Sequence, residues 1–120
     1  MKDNRGRHFI AHHDVRSAVV TATASLTTGT ASSLIAGDAA DFMDIVEVTL
    51  SNNSTVAASV TLVNDGTTAR TFQVPASNTL SIKYDVPVKQ NAKNTPWLAD
   101  MEDVTGTTVV VDAVLIKKTI

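Results

Sequence analysis

The sequence predicts an all-β protein, an antiparallel β-sandwich of about eight strands that follows an extended N-terminal arm. Valine, alanine, leucine, isoleucine and threonine dominate the composition, and aromatic residues make up 4% of the chain. β-Branched side chains favour a pleated, half-buried surface. Apolar and polar residues alternate with a period of two in several segments, as in half-buried strands. Turn-forming residues separate these segments at short intervals, which is typical of sandwiches and barrels.

The chain of 120 residues is long enough for one domain with a modest core. Residues 1–16 are polar, follow neither the helical nor the strand period, and are interpreted as an extended arm. The arm has four basic and two acidic residues, a net charge of +2, whereas residues 17–120 have six basic and ten acidic residues, a net charge of −4. A basic arm on an acidic sandwich domain indicates contact with an acidic neighbour.

The first predicted strand covers residues 17–26, where small apolar and hydroxyl residues partly alternate. A turn at residues 27–30 leads to a short strand at residues 33–36, which ends at Gly37. Residues 39–43 have room for one helical turn at most, and no segment has the apolar stripe of a longer helix.

Alternation is clearest in the strand that begins at Phe42. Val46, Val48 and Leu50 are predicted to share its inward face. Asn64-Asp65-Gly66 is the strongest hairpin signal in the chain, because Asn, Asp and Gly tolerate the positive φ angles of a tight turn. The strands on either side of it are predicted to direct four apolar residues inward: Val60, Leu62, Phe72 and Val74.

The next strand is predicted to place Leu80, Ile82 and Tyr84 inward. Proline lacks a backbone N–H, so Pro87 is expected to break this strand and to leave Val86 and Val88 in a short edge strand. A polar loop at residues 90–95 follows.

Two further strands complete the domain, at residues 97–101 and 107–117. The last has apolar residues on both faces, which indicates either a central strand or an outer face covered by a partner. Jelly-roll and immunoglobulin-like topologies both fit this succession of strands. Trp97 is expected in the core or in an interface rather than on a sugar-binding platform.

Catalytic and metal-binding patterns are not evident. The chain has no cysteine, and it has no nucleophile elbow, phosphate loop or dinucleotide fingerprint. His8 and His12 share a face only in a helix, which the arm does not favour, so no metal site is expected there or at His13. We therefore expect a protein that is not an enzyme and has no metal or cofactor.

Two groups of carboxylates lie in or beside turn-like sequence, where acidic residues mostly face solvent. They are Asp38, Asp41 and Asp44, and Asp100, Glu102 and Asp103. The N-terminus is charged and lacks the apolar region of a signal peptide, and no apolar run has the length of a membrane span. We expect synthesis in the host cytoplasm, no membrane partner, and no nucleic-acid partner, since the positive charge is sparse.

From about Ser33 onward, the chain resembles small β-sandwich virion proteins of tailed bacteriophages. The resemblance lies in a succession of segments: Leu34-Ile35-Ala36-Gly37, Val46–Asn52, Val60-Thr61-Leu62, Phe72–Ala76, Leu80–Tyr84 and Gly106–Val111. It implies a capsid decoration (cement) protein on the capsid surface, where the sandwich packs on the major capsid protein and stabilises the head. A neck or tail component, or a receptor- or carbohydrate-binding module of a tail fibre, is the alternative.

The arm then becomes the predicted site of partner binding, to the major capsid protein or another virion protein. Phe9 and Ile10 form the only bulky apolar pair in the arm and are the predicted anchor. The predicted contacts are Arg5, Arg7, Phe9, Ile10 and Arg16. A homo-oligomer, trimer or dimer, is also expected, because a small sandwich gains stability from additional buried surface.

Overall fold

The computed structural model describes residues 19–27 and 31–118, and these residues form eight strands and no helix. The strands are β1 (Val19–Leu26), β2 (Ser32–Ile35), β3 (Phe42–Asn52), β4 (Ala58–Asn64), β5 (Thr67–Val74), β6 (Asn78–Val88), β7 (Trp97–Met101) and β8 (Val109–Lys118). The prediction of an all-β domain with about eight strands is confirmed. The described part of the chain has no helix with the length and hydrophobicity that crossing a membrane requires.

The strands form two antiparallel four-stranded sheets, in the orders β1-β8-β3-β6 and β2-β7-β4-β5. We call these sheet A and sheet B. The pairs β4–β5, β3–β6, β2–β7 and β1–β8 nest one outside the other. The chain is therefore one long hairpin, with its tip between β4 and β5, wound into two layers. This topology is the jelly roll, one of the two topologies that the sequence left open.

The core lies between the two sheets and consists of the inward side chains of alternating residues. Trp97 is completely buried in it, and its indole N–H donates a 2.8 Å hydrogen bond to the backbone carbonyl of Met43. The expectation that Trp97 lies in the core or in an interface is confirmed, and the structure places it in the core. The other large side chains that are fully buried include Leu26, Met43, Ile45, Leu50, Leu62, Met101, Leu115, Val48, Val60, Val74 and Val109.

The predicted hairpin lies at the tip of the wound chain. Asp65 and Gly66 connect β4 to β5 and have φ angles of 52° and 72°. Two successive positive φ angles define the type I′ turn, whose twist matches that of the flanking strands. On both sides, the predicted inward residues are buried: Val60, Leu62, Phe72 and Val74.

The predicted inward position of Val46 is wrong, because β3 contains a β-bulge. Ile45 pairs with Leu115 and Glu47 with Val114, so Val46 is an extra residue without a counterpart in β8. Such a residue reverses the alternation of faces along the strand. Ile45 is consequently buried before the bulge and Val48 after it, whereas Val46 is half-buried.

The predicted break at Pro87 is also wrong, because β6 continues to Val88. Lys83 pairs with Glu47 and Val88 with Ile45, which leaves residues 84–87 of β6 opposite the bulge of β3. Proline is tolerated there because β6 is an edge strand and its N–H position needs no partner. Val86 projects from this irregular stretch with 76% of its surface exposed.

β8 is a central strand, between β1 and β3, which is one of the two arrangements that its sequence indicated. Val109, Val111 and Leu115 face the core and are fully buried. Val110, Val114 and Ile116 lie on the outer face of sheet A and are half-buried. Neighbouring strands on both sides cover part of these outer side chains.

Candidate interaction surfaces

The predicted arm contacts, Arg5, Arg7, Phe9, Ile10 and Arg16, lie outside the described residues, as do the three histidines. Val19 is the first residue that the structure describes; it begins β1 and pairs with Ile116 near the end of β8. Residues 36–41, 64–67, 89–96 and 117–118 form the same end of the sandwich, which we call the arm end because the predicted arm precedes Val19 in the sequence.

An ion pair fixes the chain at the arm end. The Nζ of Lys117 lies 2.9 Å from Oδ2 of Asp38. The other oxygen of Asp38 accepts hydrogen bonds from the backbone N–H groups of Ala40 (2.8 Å) and Asp41 (3.1 Å). The hydrogen bond from Lys117, together with these N–H groups, lowers the pKa of Asp38, and Asp38 in turn raises the pKa of Lys117. Asp38 therefore holds the turn that leads into β3.

A buried polar network positions the loop between β6 and β7. The Gln90 side chain accepts a hydrogen bond from the Met43 backbone N–H (2.8 Å) and donates one to the Thr95 carbonyl (2.8 Å). The Gln90 backbone N–H donates to Oδ1 of the buried Asp44 (3.0 Å), whose Oδ2 lies 3.8 Å from the Lys118 ammonium. Because low dielectric strengthens satisfied polar contacts, this network makes the arm end rigid.

A second set of contacts joins the same loop to the tip of the wound chain. The Asn64 side chain accepts a hydrogen bond from the Asn91 backbone N–H at 2.7 Å, and its amide donates to the Pro96 carbonyl at 3.3 Å. Gly37 packs so closely on the backbone of Asn94 and Thr95 that a Cβ atom at residue 37 would clash with both. Three loops are thereby locked together at the arm end.

The arm end also has a hollow of about 320 Å³, lined by Phe42, Asp44, Lys89, Gln90 and Lys118. The ammonium of Lys93 lies over the Phe42 ring, 5.2 Å from its centroid. The hollow therefore combines the Phe42 ring with the ammonium groups of Lys89 and Lys118, and the Asp44 carboxylate beside Lys118 offsets part of this positive charge.

The outer face of sheet A is broad and rich in hydroxyl groups. Across its four strands, the rows run Thr21–Val114–Glu47–Lys83, Thr23–Asp112–Thr49–Ser81 and Ser25–Val110–Ser51–Thr79. A shallow depression of about 380 Å³ lies between β1 and β8. Most side chains in these rows are small and uncharged, and Glu47, Lys83 and Asp112 are the charged exceptions.

The outer face of sheet B carries the second group of carboxylates. Glu102 accepts a 2.8 Å hydrogen bond from the Ser59 backbone N–H, so it extends the pairing of β7 with β4. Asp100 lies opposite Thr61 and lines a hollow of about 250 Å³ with Glu102 and Asp103. Among residues 19–27 and 31–118, no group of three or more carboxylate, histidine or cysteine side chains is arranged to hold a metal ion.

Comparison with known proteins identifies the fold but not a family. No protein-family profile matches the sequence, and no curated protein is similar to it. A chain of the acid-stable capsid of the Helicobacter pylori bacteriophage KHP30 superposes with a TM-score of 0.57 and 15% identity, over 82% of this chain and 87% of that one. A chain of the capsid asymmetric unit of cyanophage Pam1 superposes with a TM-score of 0.53 and 14% identity, over 82% of each chain.

The fold is not restricted to phage capsids. The crystal structure of PirA superposes with a TM-score of 0.51 and 6% identity, over 78% of this chain and 92% of that one. At such identities the matches establish a shared β-sandwich fold. The predicted likeness to phage virion proteins is thus confirmed at the level of fold.

Sequence reasoning missed the residues that organise the arm end. Gln90 and Asn64 were read as loop and turn residues, yet both are buried. The signal for Gln90 was its position directly after a strand and before a polar loop closed by a proline, where a side chain has backbone groups within reach.

Proposed function

We propose that this protein is a structural component of a bacteriophage particle, in the form of a decoration protein that binds the major capsid protein lattice and stabilises the head. The observation that carries the proposal is the superposition of at least four fifths of the chain on chains from two phage capsids. The wound eight-strand topology is one that viral shells use repeatedly.

The geometry of the sandwich supports a role in binding proteins. Its described aromatic side chains are all at least half-buried, namely Phe42, Phe72, Tyr84 and Trp97. Sugar recognition relies on exposed aromatic faces, so this favours a protein partner over a carbohydrate. The carboxylates of Asp38 and Asp44 accept hydrogen bonds from backbone N–H groups of neighbouring loops. Because this structural role favours protein binding over catalysis, we propose that the chain is not an enzyme.

In the proposed mechanism, the arm inserts into a groove on a neighbouring capsid subunit while the sandwich rests on the lattice. The Phe9-Ile10 pair supplies buried apolar surface, and Arg5, Arg7 and Arg16 contact acidic groups around it. Many copies on one particle make weak individual contacts effective, because multivalent attachment raises the apparent affinity.

The first test is the number of copies of this chain in purified particles, relative to the major capsid protein, by quantitative mass spectrometry. A ratio near one, or a simple fraction of one, supports a decoration protein that covers the lattice. A handful of copies per particle contradicts decoration and assigns the chain to the neck or tail. Absence from the particle contradicts the virion proposal altogether.

The second test addresses the arm with matched variants. Particles that lack the protein are incubated with the wild-type chain, with Phe9→Ala/Ile10→Ala, or with Lys2→Ala/Asn4→Ala, and bound protein is measured after sedimentation. We expect the first variant to bind at least tenfold more weakly, as loss of a buried anchor implies, and the second to bind like the wild type. Equal binding by all three chains would contradict the arm mechanism.

A further inference from the structure

Four strands form the edges of the two sheets: β1 and β6 in sheet A, and β2 and β5 in sheet B. The N–H and C=O groups of a strand point alternately to its two neighbours, so an edge strand presents a row of unpaired groups. Such a row is a template for another chain, and proteins usually protect it with charge, proline, bulges or short length.

Three of the four edges have this protection. β2 has four residues and a shift of register between Ser33 and Ile35. β5 contains Arg70 and a shift opposite Leu62 and Val63. β6 contains Lys83, Pro87 and the irregular residues 84–87.

The edge of β1 has none of these features. Its eight residues, Val-Val-Thr-Ala-Thr-Ala-Ser-Leu, include no charge and no proline, and all eight pair with β8 without a shift. Within the described part of the chain, β8 is the only strand that pairs with β1. β1 is therefore regular and uncharged, and among the described residues one of its two sides is unpaired.

We propose that β1 pairs antiparallel with β1 of a second copy of this chain, which joins the two A sheets into one continuous sheet of eight strands. A strand that pairs with itself about a two-fold axis forms a closed dimer. The protected edges β2, β5 and β6 explain why pairing stops there. Because the dimer is expected of the purified protein alone, its test does not depend on the proposed function.

The sequence of β1 suits a two-fold pairing. Directly opposite residues in antiparallel strands point to the same face, so exposed odd-numbered residues must meet odd-numbered ones. With the axis at Ala22, Thr21 lies opposite Thr23 of the second copy and Val20 lies opposite Ala24. Threonine pairs stabilise antiparallel strands through their hydroxyl and methyl groups.

Charge does not oppose this contact. Among the described residues, the nearest charged side chain on the same face is that of Asp112 in β8, which pairs with Thr23 of β1. In the joined sheet, the two Asp112 residues are three strand spacings apart, about 14 Å. This exceeds the screening length of about 8 Å at physiological ionic strength, so their repulsion is weak.

The test is the oligomeric state of the full chain, measured by analytical ultracentrifugation over a range of concentrations. We expect the wild type to sediment as a dimer. The variant Thr21→Lys/Thr23→Lys places lysines opposite lysines across the two-fold axis. We expect the dissociation constant of its dimer to be at least tenfold higher than that of the wild type. The matched control, Thr79→Lys/Ser81→Lys, adds the same charge to the other edge of the same face and should remain dimeric.

A charge-reversal experiment separates lost pairing from lost folding. Thr21→Glu/Thr23→Glu alone should also be monomeric, whereas an equimolar mixture with the lysine variant should form a heterodimer, because each lysine then faces a glutamate. A monomeric wild type, a lysine variant that dimerises like the wild type, or a mixture that remains monomeric would each overturn the proposal. Loss of the dimer on deletion of residues 1–16 would overturn it as well, since the arm would then be the pairing segment.

Discussion

Gln90 is the residue that ties the loop between β6 and β7 to the start of β3. Its side chain satisfies the backbone N–H of Met43 and the carbonyl of Thr95 at the same time. Both backbone groups would be left without partners if the amide were removed. A buried polar group without a partner costs about 1–3 kcal/mol.

We predict that Gln90→Ala lowers the free energy of unfolding by about 3 kcal/mol. The measurement is urea unfolding followed by the fluorescence of the buried Trp97. Gln73→Ala is the matched control, because Gln73 is exposed and its amide donates a single 3.2 Å hydrogen bond to Ser59; its effect should stay within about 0.5 kcal/mol. Equal losses in the two variants would contradict the role assigned to Gln90.

The ion pair between Asp38 and Lys117 predicts a dependence of stability on pH. The pKa of Asp38 is lowered by the hydrogen bond from Lys117, so its contribution is present above its ordinary pKa of 3.8 and is lost as the pH falls through the folded-state value. The pKa of Lys117 is raised by Asp38, so its contribution is present below its ordinary pKa of 10.5 and is lost as the pH rises further.

Asp38→Asn should therefore be less stable than the wild type near neutral pH, and the difference should shrink towards both extremes. Urea unfolding across the pH range gives this difference directly. Asp65→Asn is the control, since Asp65 lies exposed in the type I′ turn. A difference between Asp38→Asn and the wild type that does not change with pH would show that the ion pair contributes nothing.

At the scale of the strands, the local sequence pattern predicts which side chains face the core wherever strand pairing is regular. The inward residues of β4 and β5 and the turn at Asp65-Gly66 follow from alternation and turn chemistry alone. The inward position predicted for Val46 is wrong because a β-bulge depends on the partner strand, which the local pattern does not reveal. The extra residue changes which alternate side chains before the bulge face the core. Pro87 was misread because tolerance of proline depends on whether a strand lies at an edge, which is a property of the sheet.

The turn at the tip of the wound chain allows a prediction for one element. Gly66 has a φ of 72°, and no atom lies within 4 Å of the position that a Cβ would occupy. Gly66→Ala should therefore cost only the conformational strain of the left-handed region, about 1 kcal/mol. Asp65→Asn should be nearly neutral, because asparagine tolerates positive φ. Thermal unfolding of both variants measures the effect, and a neutral Gly66→Ala would contradict this view of the turn.

At the scale of the whole molecule, the order of strands in the two sheets determines the topology, which the sequence alone leaves open. A jelly roll and an immunoglobulin-like sandwich have the same alternating strands and short turns, and they differ in which distant strands pair. The neutrality of β1 is visible in the sequence, but its position at an edge is known only from the topology. Gln90 is polar in a polar loop, and only the approach of Met43 and Thr95 makes it a buried anchor.

The predicted division of the chain into an arm and a sandwich leads to the last prediction. The eight described strands and the core between them lie within residues 19–118, so we expect deletion of residues 1–16 to change the free energy of unfolding by no more than about 0.5 kcal/mol. The same deletion removes the five predicted contact residues and should abolish binding to particles. Urea unfolding by Trp97 fluorescence and co-sedimentation with particles measure the two effects separately. A large loss of stability would show that the arm is part of the sandwich, whereas undiminished binding by a stable truncated chain would show that the binding surface lies on the sandwich itself.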